Sequence, residues 1–312
     1  MVDLRRLRAL RELADRGTIA ATADALHLTP SAVSQQLAVL EREVGQPLLE
    51  PNGRTVRLTP AATAVLAHAD ALFSEVERMD ATLAALAGGA VGAVRVGAFS
   101  TAIRGLIVPA VARLRETSPG LELVIRDVES PDVFDAVALG EMDVGISMET
   151  LSPPTPGRDD DRFARFDLMR DVLDVALPVD HVLAGGDARL IDLAGHPWIA
   201  PPEGWSCDDV IRVACSAAGF TPDVAHRSGD WTAIMAMVSA GLGVAVVPRL
   251  AQDLPPPGVV IRRLRGEPAA RHLFVICRRG AEDHPAIGAT IGAIRASADA
   301  QPQRARSTTP KP

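Results

Sequence analysis

Apolar residues recur with a helical period through the N-terminal part of the chain. The first helix is marked by leucines at every third position, which form one apolar face: Leu4, Leu7, Leu10 and Leu13. Gly17 ends this helix, and Thr18 can cap a second helix over residues 19–26. A third helix is expected from about residue 30 to residue 43, because Thr29 is a good N-cap and a proline follows at the first helical position.

A β-hairpin pattern comes next. Two short apolar runs, at residues 48–49 and 55–58, flank Asn52-Gly53, a pair that is typical of tight hairpin turns. Thr59-Pro60 then repeats the combination of cap and proline, and it predicts a long helix to about Ala87.

The long helix carries a heptad pattern. Its apolar residues alternate steps of three and four over four repeats, which is typical of a coiled coil: Ala62, Val65, Ala69, Leu72, Val76, Met79, Leu83 and Leu86. We therefore expect a dimerisation surface formed by Val65, Leu72, Val76, Met79, Leu83 and Leu86.

A glycine-rich hinge at residues 88–92 marks a domain boundary. Beyond it, strand and helix patterns alternate, which is typical of α/β domains with parallel or mixed sheets. Strands are expected over residues 94–98, 121–128, 143–148, 244–248 and 271–278, and the last of them is expected to return to the first subdomain. Helices are expected up to about residue 117 and over 131–139 and 231–240. The proline-rich and acidic composition of residues 152–161 predicts an exposed loop. The polar, proline-rich composition of residues 299–312 predicts a disordered tail.

Two helices joined by a tight turn and followed by a hairpin have the layout of a winged helix-turn-helix. The third helix would bury Val33, Leu37 and Leu40 and turn its polar face to the major groove. Serine, threonine and glutamine side chains suit base edges and phosphates, and arginines on the hairpin suit phosphates or the minor groove. A solvated surface is the better explanation for any one of these residues, but their order favours DNA contacts by Thr29, Ser31, Ser34, Gln35, Arg54 and Arg57.

Composition narrows the possible functions. The net charge is -7, but residues 1–62 hold eight arginines against seven acidic residues, which permits DNA binding. No signal-peptide pattern and no apolar run of about 18 residues is visible, so we expect a cytoplasmic protein. The seven histidines lack metal-ligand spacing and no nucleophile or phosphate-binding motif occurs, so we expect no metal, no cofactor and no catalytic residue.

Taken together, these motifs resemble those of the LysR-type transcriptional regulators. The matching positions are the run from Thr18 to Leu37, which includes Thr29-Pro30-Ser31-Ala32-Val33-Ser34-Gln35, then Leu40-Glu41, Gly45 and Arg57-Leu58-Thr59. Similar segments at residues 140–146 and 240–248 extend the resemblance over nearly the whole chain before the tail. The chain departs from the family at Leu49, where an aromatic residue is usual, at Pro51, where arginine is usual, and at Ala62, where glycine is usual. Pro51 removes one phosphate contact from the wing.

The resemblance implies a domain organisation. It assigns residues 1–59 to a DNA-binding winged helix with its helix-turn-helix at about 18–37, 60–87 to a linker and dimerisation helix, and 93–298 to an effector-binding domain. That domain would have two α/β subdomains like those of periplasmic binding proteins of type 2, with a cleft for a small-molecule effector. The resemblance also implies a homodimer, with dimers pairing into tetramers, and control of transcription by the effector.

The cleft residues are predicted less sharply. Clefts of this kind bind ligands at helix N-termini, where free N–H groups favour anions. The candidates are Ser100, Thr101, Trp205, Asp230 and Trp231, with helix capping or core packing as the alternative role of each. Cys207 and Cys215 resemble the cysteines of peroxide-sensing family members, although two buried thiols are the better explanation.

Two functions of other classes stay open at this point. A cytoplasmic solute-binding protein and an enzyme could share the α/β fold without binding DNA. Binding to the DNA upstream of its own gene would distinguish a regulator from both.

Overall fold

The computed structural model describes residues 2–52, 55–149, 160–252, 255–266 and 269–301. The predicted turn residue Gly53, the wing residue Arg54, most of the loop at 152–161 and the tail beyond residue 301 lie outside these ranges. Within them, no helix combines the length and the apolar character that a membrane span requires.

The N-terminal module contains three helices and a hairpin, as expected. The helices are α1 (Leu4–Arg16), α2 (Ile19–Ala25) and α3 (Pro30–Val44), and the antiparallel strands are β1 (Leu49–Asn52) and β2 (Thr55–Leu58). Thr18 and Thr29 cap α2 and α3, each accepting a hydrogen bond of 3.2 Å from a backbone N–H. Gly17 and Gly45 end α1 and α3 with φ of 73° and 72°, a left-handed conformation that glycine adopts without strain.

The linker helix α4 (Pro60–Leu86) has 27 residues and is about 40 Å long. Thr59 caps its N-terminus, and its first half packs on the core of the winged helix through Ala62, Leu66 and Ala69. Its second half packs against the C-terminal domain, so closely that a Cβ at Gly280 would overlap the Ser74 carbonyl oxygen.

The first subdomain of the C-terminal region is built on a mixed sheet. Strands β3 (Gly92–Ala98), β4 (Leu121–Asp127) and β5 (Val144–Glu149) are parallel, in the order β4-β3-β5. A composite helix follows β3, in which α5 (Ser100–Ala102), a π turn and α6 (Val108–Thr117) run on without a break. α7 (Asp132–Ala138) precedes β5, and the last helix, which we label α10, covers Pro285–Asp299.

The long strand β6 (Phe163–Pro178) joins the two subdomains. Its first part pairs with the late strand β13 (Ala270–Arg278), which also pairs with β5. Its last six residues pair with β10 (Ala245–Pro248) and β11 (Val259–Arg262) of the second subdomain. The predicted return of the last strand to the first subdomain is therefore confirmed, whereas the sequence did not predict β6 as a crossing strand.

The second subdomain packs around Trp198, which is fully buried. It contains the parallel pair β8 (Pro197–Ala200) and β9 (Asp223–Arg227), together with the helices α8 (Ser206–Ala217) and α9 (Trp231–Ser239). A short parallel pair, β7 (Ala188–Arg189) and β12 (Leu264–Arg265), lies beside them.

Candidate DNA-binding surface and effector cleft

Helix α3 has one buried face and one polar face. Val33, Leu37 and Leu40 are at most 2% exposed and belong to the core of the winged helix. The opposite side, which the sequence assigned to DNA, is exposed at Thr29, Ser31, Ser34 and Gln35. An α-helix that buries one stripe and presents short polar side chains on the other has the form that enters a major groove.

The N-terminus of α3 is organised by Thr29. Its hydroxyl caps the helix and lies 3.0 Å from the Ser31 hydroxyl. The two hydroxyl groups are therefore held together at the end of the helix where free backbone N–H groups attract phosphate.

On the wing, Arg57 lies on β2 directly opposite Glu50 of β1. Its guanidinium is 2.5 Å from the Glu50 carboxylate, and the Arg57 side chain is 69% exposed. An exposed pair of this kind contributes little to stability, so the arginine can exchange Glu50 for a phosphate at small cost. Pro51, where arginine is usual in the family, follows Glu50 on the same strand and supplies no cation to a phosphate.

The arginines crowded into the first helix are used differently. Four of the five arginines of α1 contact other described residues: Arg6 pairs with Glu43 at 2.5 Å, Arg11 pairs with Asp70, Arg16 pairs with Glu12 and Asp135, and Arg8 lies 5.9 Å from the centre of the Phe73 ring. Their role is to hold α1 on its neighbours, although the sequence showed them only as a local excess of positive charge.

The predicted heptad seam divides into two parts. In the first part, Val65 packs against the core of the winged helix, beside the buried Ala62 and Ala69. In the second part the seam faces solvent, with Val76 half-buried and with Leu72, Met79, Leu83 and Leu86 between 49% and 81% exposed. Large exposed apolar side chains at heptad spacing mark an association surface.

The cleft lies between the subdomains at the carboxyl ends of their parallel strands, where α/β sheets bind ligands. Ser100 follows β3, and Trp205 and Trp231 face it from the second subdomain, so the structure brings three of the five predicted residues together. The space between them is closed down to about 10 Å³, roughly the room for one water molecule. Trp205 lies so close to Gly229 that a Cβ there would be 2.6 Å from its ring.

The other two predicted residues have different positions. Thr101 is buried and is not among the residues that line the cleft, and its hydroxyl accepts a hydrogen bond of 2.8 Å from Arg271. Asp230 does not line the cleft, because its carboxylate caps α9 by accepting from the Thr232 N–H at 2.7 Å.

Arg271 is the cation of the cleft, and the sequence analysis missed it. It is 1% exposed and donates to Asp171 at 2.9 Å and 2.8 Å. Its guanidinium also lies 4.9 Å from the centre of the Phe99 ring. Burial raises the pKa of Asp171, and Arg271 opposes that rise. Because a buried guanidinium stays protonated, it holds Asp171 as its counter-ion.

Glu129 is the second residue that was missed. It follows β4 and lines the cleft opposite Trp205. Burial, with a smaller contribution from Asp127, raises its pKa to about 7, while Arg271 acts in the opposite direction. Its position directly after a predicted parallel strand was the signal that could have identified it.

Comparisons with known proteins decide the family. The model "Bacterial regulatory helix-turn-helix protein, lysR family" matches residues 4–63, and the model "LysR substrate binding domain" matches residues 87–299. The chain belongs to the LysR family. It is a transcriptional regulator that combines a helix-turn-helix DNA-binding domain with an effector-binding domain, which confirms the predicted family, fold class and function.

Curated relatives of this LysR-family regulator span most of its length. The transcriptional dual regulator GltC of Bacillus subtilis is 30% identical over 249 residues, which are 79% of this chain and 81% of GltC. The small neutral protease regulatory protein of Streptomyces coelicolor is 31% identical over 283 residues, 90% of this chain and 83% of the relative. Both relatives are named as regulators.

Solved structures support the fold of this LysR-family regulator. A full-length OxyR variant from Pseudomonas aeruginosa has a TM-score of 0.65 and 24% identity, with 98% of this chain and 99% of that chain covered. Full-length CbnR complexed with its target DNA has a TM-score of 0.55 and 23% identity, with 95% and 100% covered.

The three cysteines of this regulator are all buried. Burial raises the pKa of Cys207, which lines the cleft, to about 11, and those of Cys215 and Cys277 to about 12. Thiols with such pKa values are protonated at neutral pH and react slowly with oxidants, because the thiolate is the nucleophile. These properties favour the structural interpretation of Cys207 and Cys215 over peroxide sensing.

Proposed function

We propose that this LysR-family regulator binds promoter DNA as a homodimer, with dimers pairing into tetramers, and that a small molecule bound in the cleft modulates it in the cytoplasm. It acts without enzymatic activity, metal or cofactor. The working division is a DNA-binding domain at 1–59, a linker helix at 60–87, a hinge at 88–92, an effector domain at 93–298 and a tail at 299–312. The two-faced helix α3 is the observation that carries this proposal.

The proposed contacts to DNA form two groups. Ser31, Ser34 and Gln35 face base edges in the major groove, and Thr29 holds the phosphate-facing end of α3. Arg57 and Arg54 of the wing bind the flanking backbone or the minor groove. Two copies of this surface are held together by the exposed part of the α4 seam, so that two half-sites are bound at once.

In the cleft, Ser100, Trp205 and Trp231 are the proposed effector contacts. Thr101 acts on the ligand indirectly by fixing Arg271, and Asp230 acts by fixing the start of α9. The space between these residues holds about one water molecule, so effector binding requires the lining side chains or the subdomains to move apart. Such a movement gives the ligand a means to change the position of the DNA-binding domains.

The proposal is tested by a gel-shift assay with DNA upstream of the gene. Gln35→Ala removes one bidentate donor and acceptor, and we expect it to weaken specific binding by about 1–3 kcal/mol, roughly five- to 150-fold. Ser34→Ala should weaken it less. Ser216→Ala is the matched control, since it makes the same change at an exposed position of α8, and it should bind like the unaltered protein. Absence of binding at low salt to any neighbouring promoter would overturn the proposal.

A further inference from the structure

The charges around the cleft do not balance. Arg271 is the cation that lines it, and Asp171 already neutralises that cation. Glu129 forms no ion pair among the described residues and accepts a hydrogen bond only from the backbone of its neighbour Ser130. The cleft therefore carries one uncompensated carboxylate when Glu129 is ionised, and Asp127 and Asp132 nearby add to the negative potential.

The helix N-termini of the second subdomain, at α8 and α9, do not restore a preference for anions. The first turn of α8 contains Asp208 and Asp209, and Asp230 caps α9. Asp208 is buried and Arg227 lies 2.9 Å from it, so Asp208 and Arg227 neutralise each other within the second subdomain. Acidic residues in the first turn offset the positive end of the helix dipole. The expectation that anions bind at helix ends is thus not supported by the charges at α8 and α9, whereas the helix that begins at Ser100 has no acidic residue in its first turn.

The walls of the cleft suit a positive charge. Trp205 and Trp231 line the same small space as Glu129, whereas the ring of Phe99 already carries the Arg271 guanidinium at 4.9 Å. The face of an aromatic ring attracts a cation, most strongly for tryptophan, and the attraction grows when the site excludes water. A carboxylate beside two tryptophans is an arrangement that recognises a positively charged nitrogen, whereas a carboxylate ligand would be repelled by Glu129.

We propose that the effector is a small organic cation, an amine or a quaternary ammonium compound, whose nitrogen pairs with Glu129 and packs on Trp205 and Trp231. The proposal rests on the proposed function, because it takes the cleft as the effector site. Trp205 packs on Gly229 within the second subdomain, so the ligand enters between Trp205 and Glu129 as the cleft opens.

The test compares two probes of similar size and opposite charge. Phenethylamine and phenylacetate are titrated at about pH 8, where Glu129 is ionised, and binding is followed by thermal shift and by tryptophan fluorescence. We expect phenethylamine to raise the melting temperature and to change the fluorescence, and phenylacetate to do neither. Glu129→Gln should weaken phenethylamine binding about tenfold or more. Glu122→Gln, the same change at an exposed position of β4, should leave it unchanged.

Three results would overturn the proposed ligand class. They are equal or tighter binding of phenylacetate, unchanged phenethylamine affinity in Glu129→Gln, and no binding of phenethylamine or tetramethylammonium below about 10 mM. The gel shift is scored independently on the same protein. If the protein binds its promoter but fails this ligand test, the regulator stands and only the ligand class is wrong. If promoter binding fails, the proposed function fails with it.

Discussion

Arg271 is the side chain on which the two subdomains meet. It donates to Thr101 at the start of the first subdomain's composite helix and to Asp171 on the crossing strand β6. Asp171 in turn accepts from the backbone N–H of Leu250, which follows β10 and packs in the core of the first subdomain, at 3.3 Å. Removing two charges from water costs about as much as their attraction returns. The pair therefore adds little net stability, while its hydrogen bonds join Thr101, Asp171 and Leu250 beside the cleft.

A pH dependence follows from Glu129. Its pKa is raised from the ordinary 4.5 to about 7, so the folded protein binds this proton more tightly than the unfolded chain. Folding stability therefore falls as the pH rises from about 4.5 through about 7. Glu129→Gln removes this loss, and we expect the variant to be more stable by about 1–2 kcal/mol at pH 8, discounted for partial solvation, and unchanged near pH 4.5.

Urea unfolding at both pH values measures the effect. Glu122→Gln, at an exposed position, serves as the control and should show no pH-dependent gain. A Glu129→Gln variant with the same stability as the unaltered protein at pH 8 would mean that the Glu129 carboxylate is well hydrated.

Among the elements, α4 shows how one pattern serves two surfaces. Its heptad positions continue through the whole helix, but Ala62, Val65 and Ala69 are used against the winged helix of the same chain. Of the remaining seam positions, Val76 is half-buried and Leu72, Met79, Leu83 and Leu86 are exposed, with Leu86 the most exposed at 81%. The coiled-coil surface available to a second copy is therefore the C-terminal half of α4.

This division yields a prediction for the linker. Met79→Asp and Leu83→Asp together place two charges at seam positions that are 54% and 56% exposed in one chain, so the fold of the single chain should not change. We expect the double variant to be a monomer by light scattering and to bind its operator much more weakly.

The matched control is Ala85→Asp, an exposed position of α4 outside the seam. It should remain a dimer. A double variant that also remains a dimer would show that subunits associate elsewhere.

At the scale of the whole molecule, ion pairs fasten the winged helix to the effector domain. They connect α1 and α4 with the first subdomain: Arg162 with Asp15 at 2.5 Å, Arg16 with Asp135 at 3.1 Å, and Arg278 with Glu77. Partly exposed pairs contribute about 0–1 kcal/mol each. Contacts of this strength hold one arrangement of the domains and still release it when a ligand favours another.

The net charge of -7 does not prevent salt-dependent DNA binding, because phosphate contacts are local. With about six phosphates neutralised per dimer, we expect operator affinity to fall about 10³-fold between about 50 mM and 200 mM salt. Gel shifts across this range measure the slope. A flat dependence would be incompatible with wing arginines and α3 bound to the DNA backbone.

Local signals in the sequence determined the helices of the N-terminal region, α1 to α4. Helix caps, terminal glycines and three- and four-residue apolar periods all act within one or two turns of the chain. They therefore predicted α1 to α4 closely, with caps at Thr18, Thr29 and Thr59 and glycines at the ends of α1 and α3. The same holds for the strands β3, β4 and β5, whose apolar runs lie between clear turns.

Only the tertiary structure decided what these elements do together. It assigned the first half of the α4 seam to the winged helix, paired Arg6 and Arg11 of α1 with acidic residues of the same chain and made β6 the strand that crosses between subdomains. It also assembled the cleft from strand ends far apart in the chain, so Glu129 and Arg271 meet although 142 residues separate them. Local propensity carries no information about such pairs, because burial and charge compensation arise only when distant segments pack.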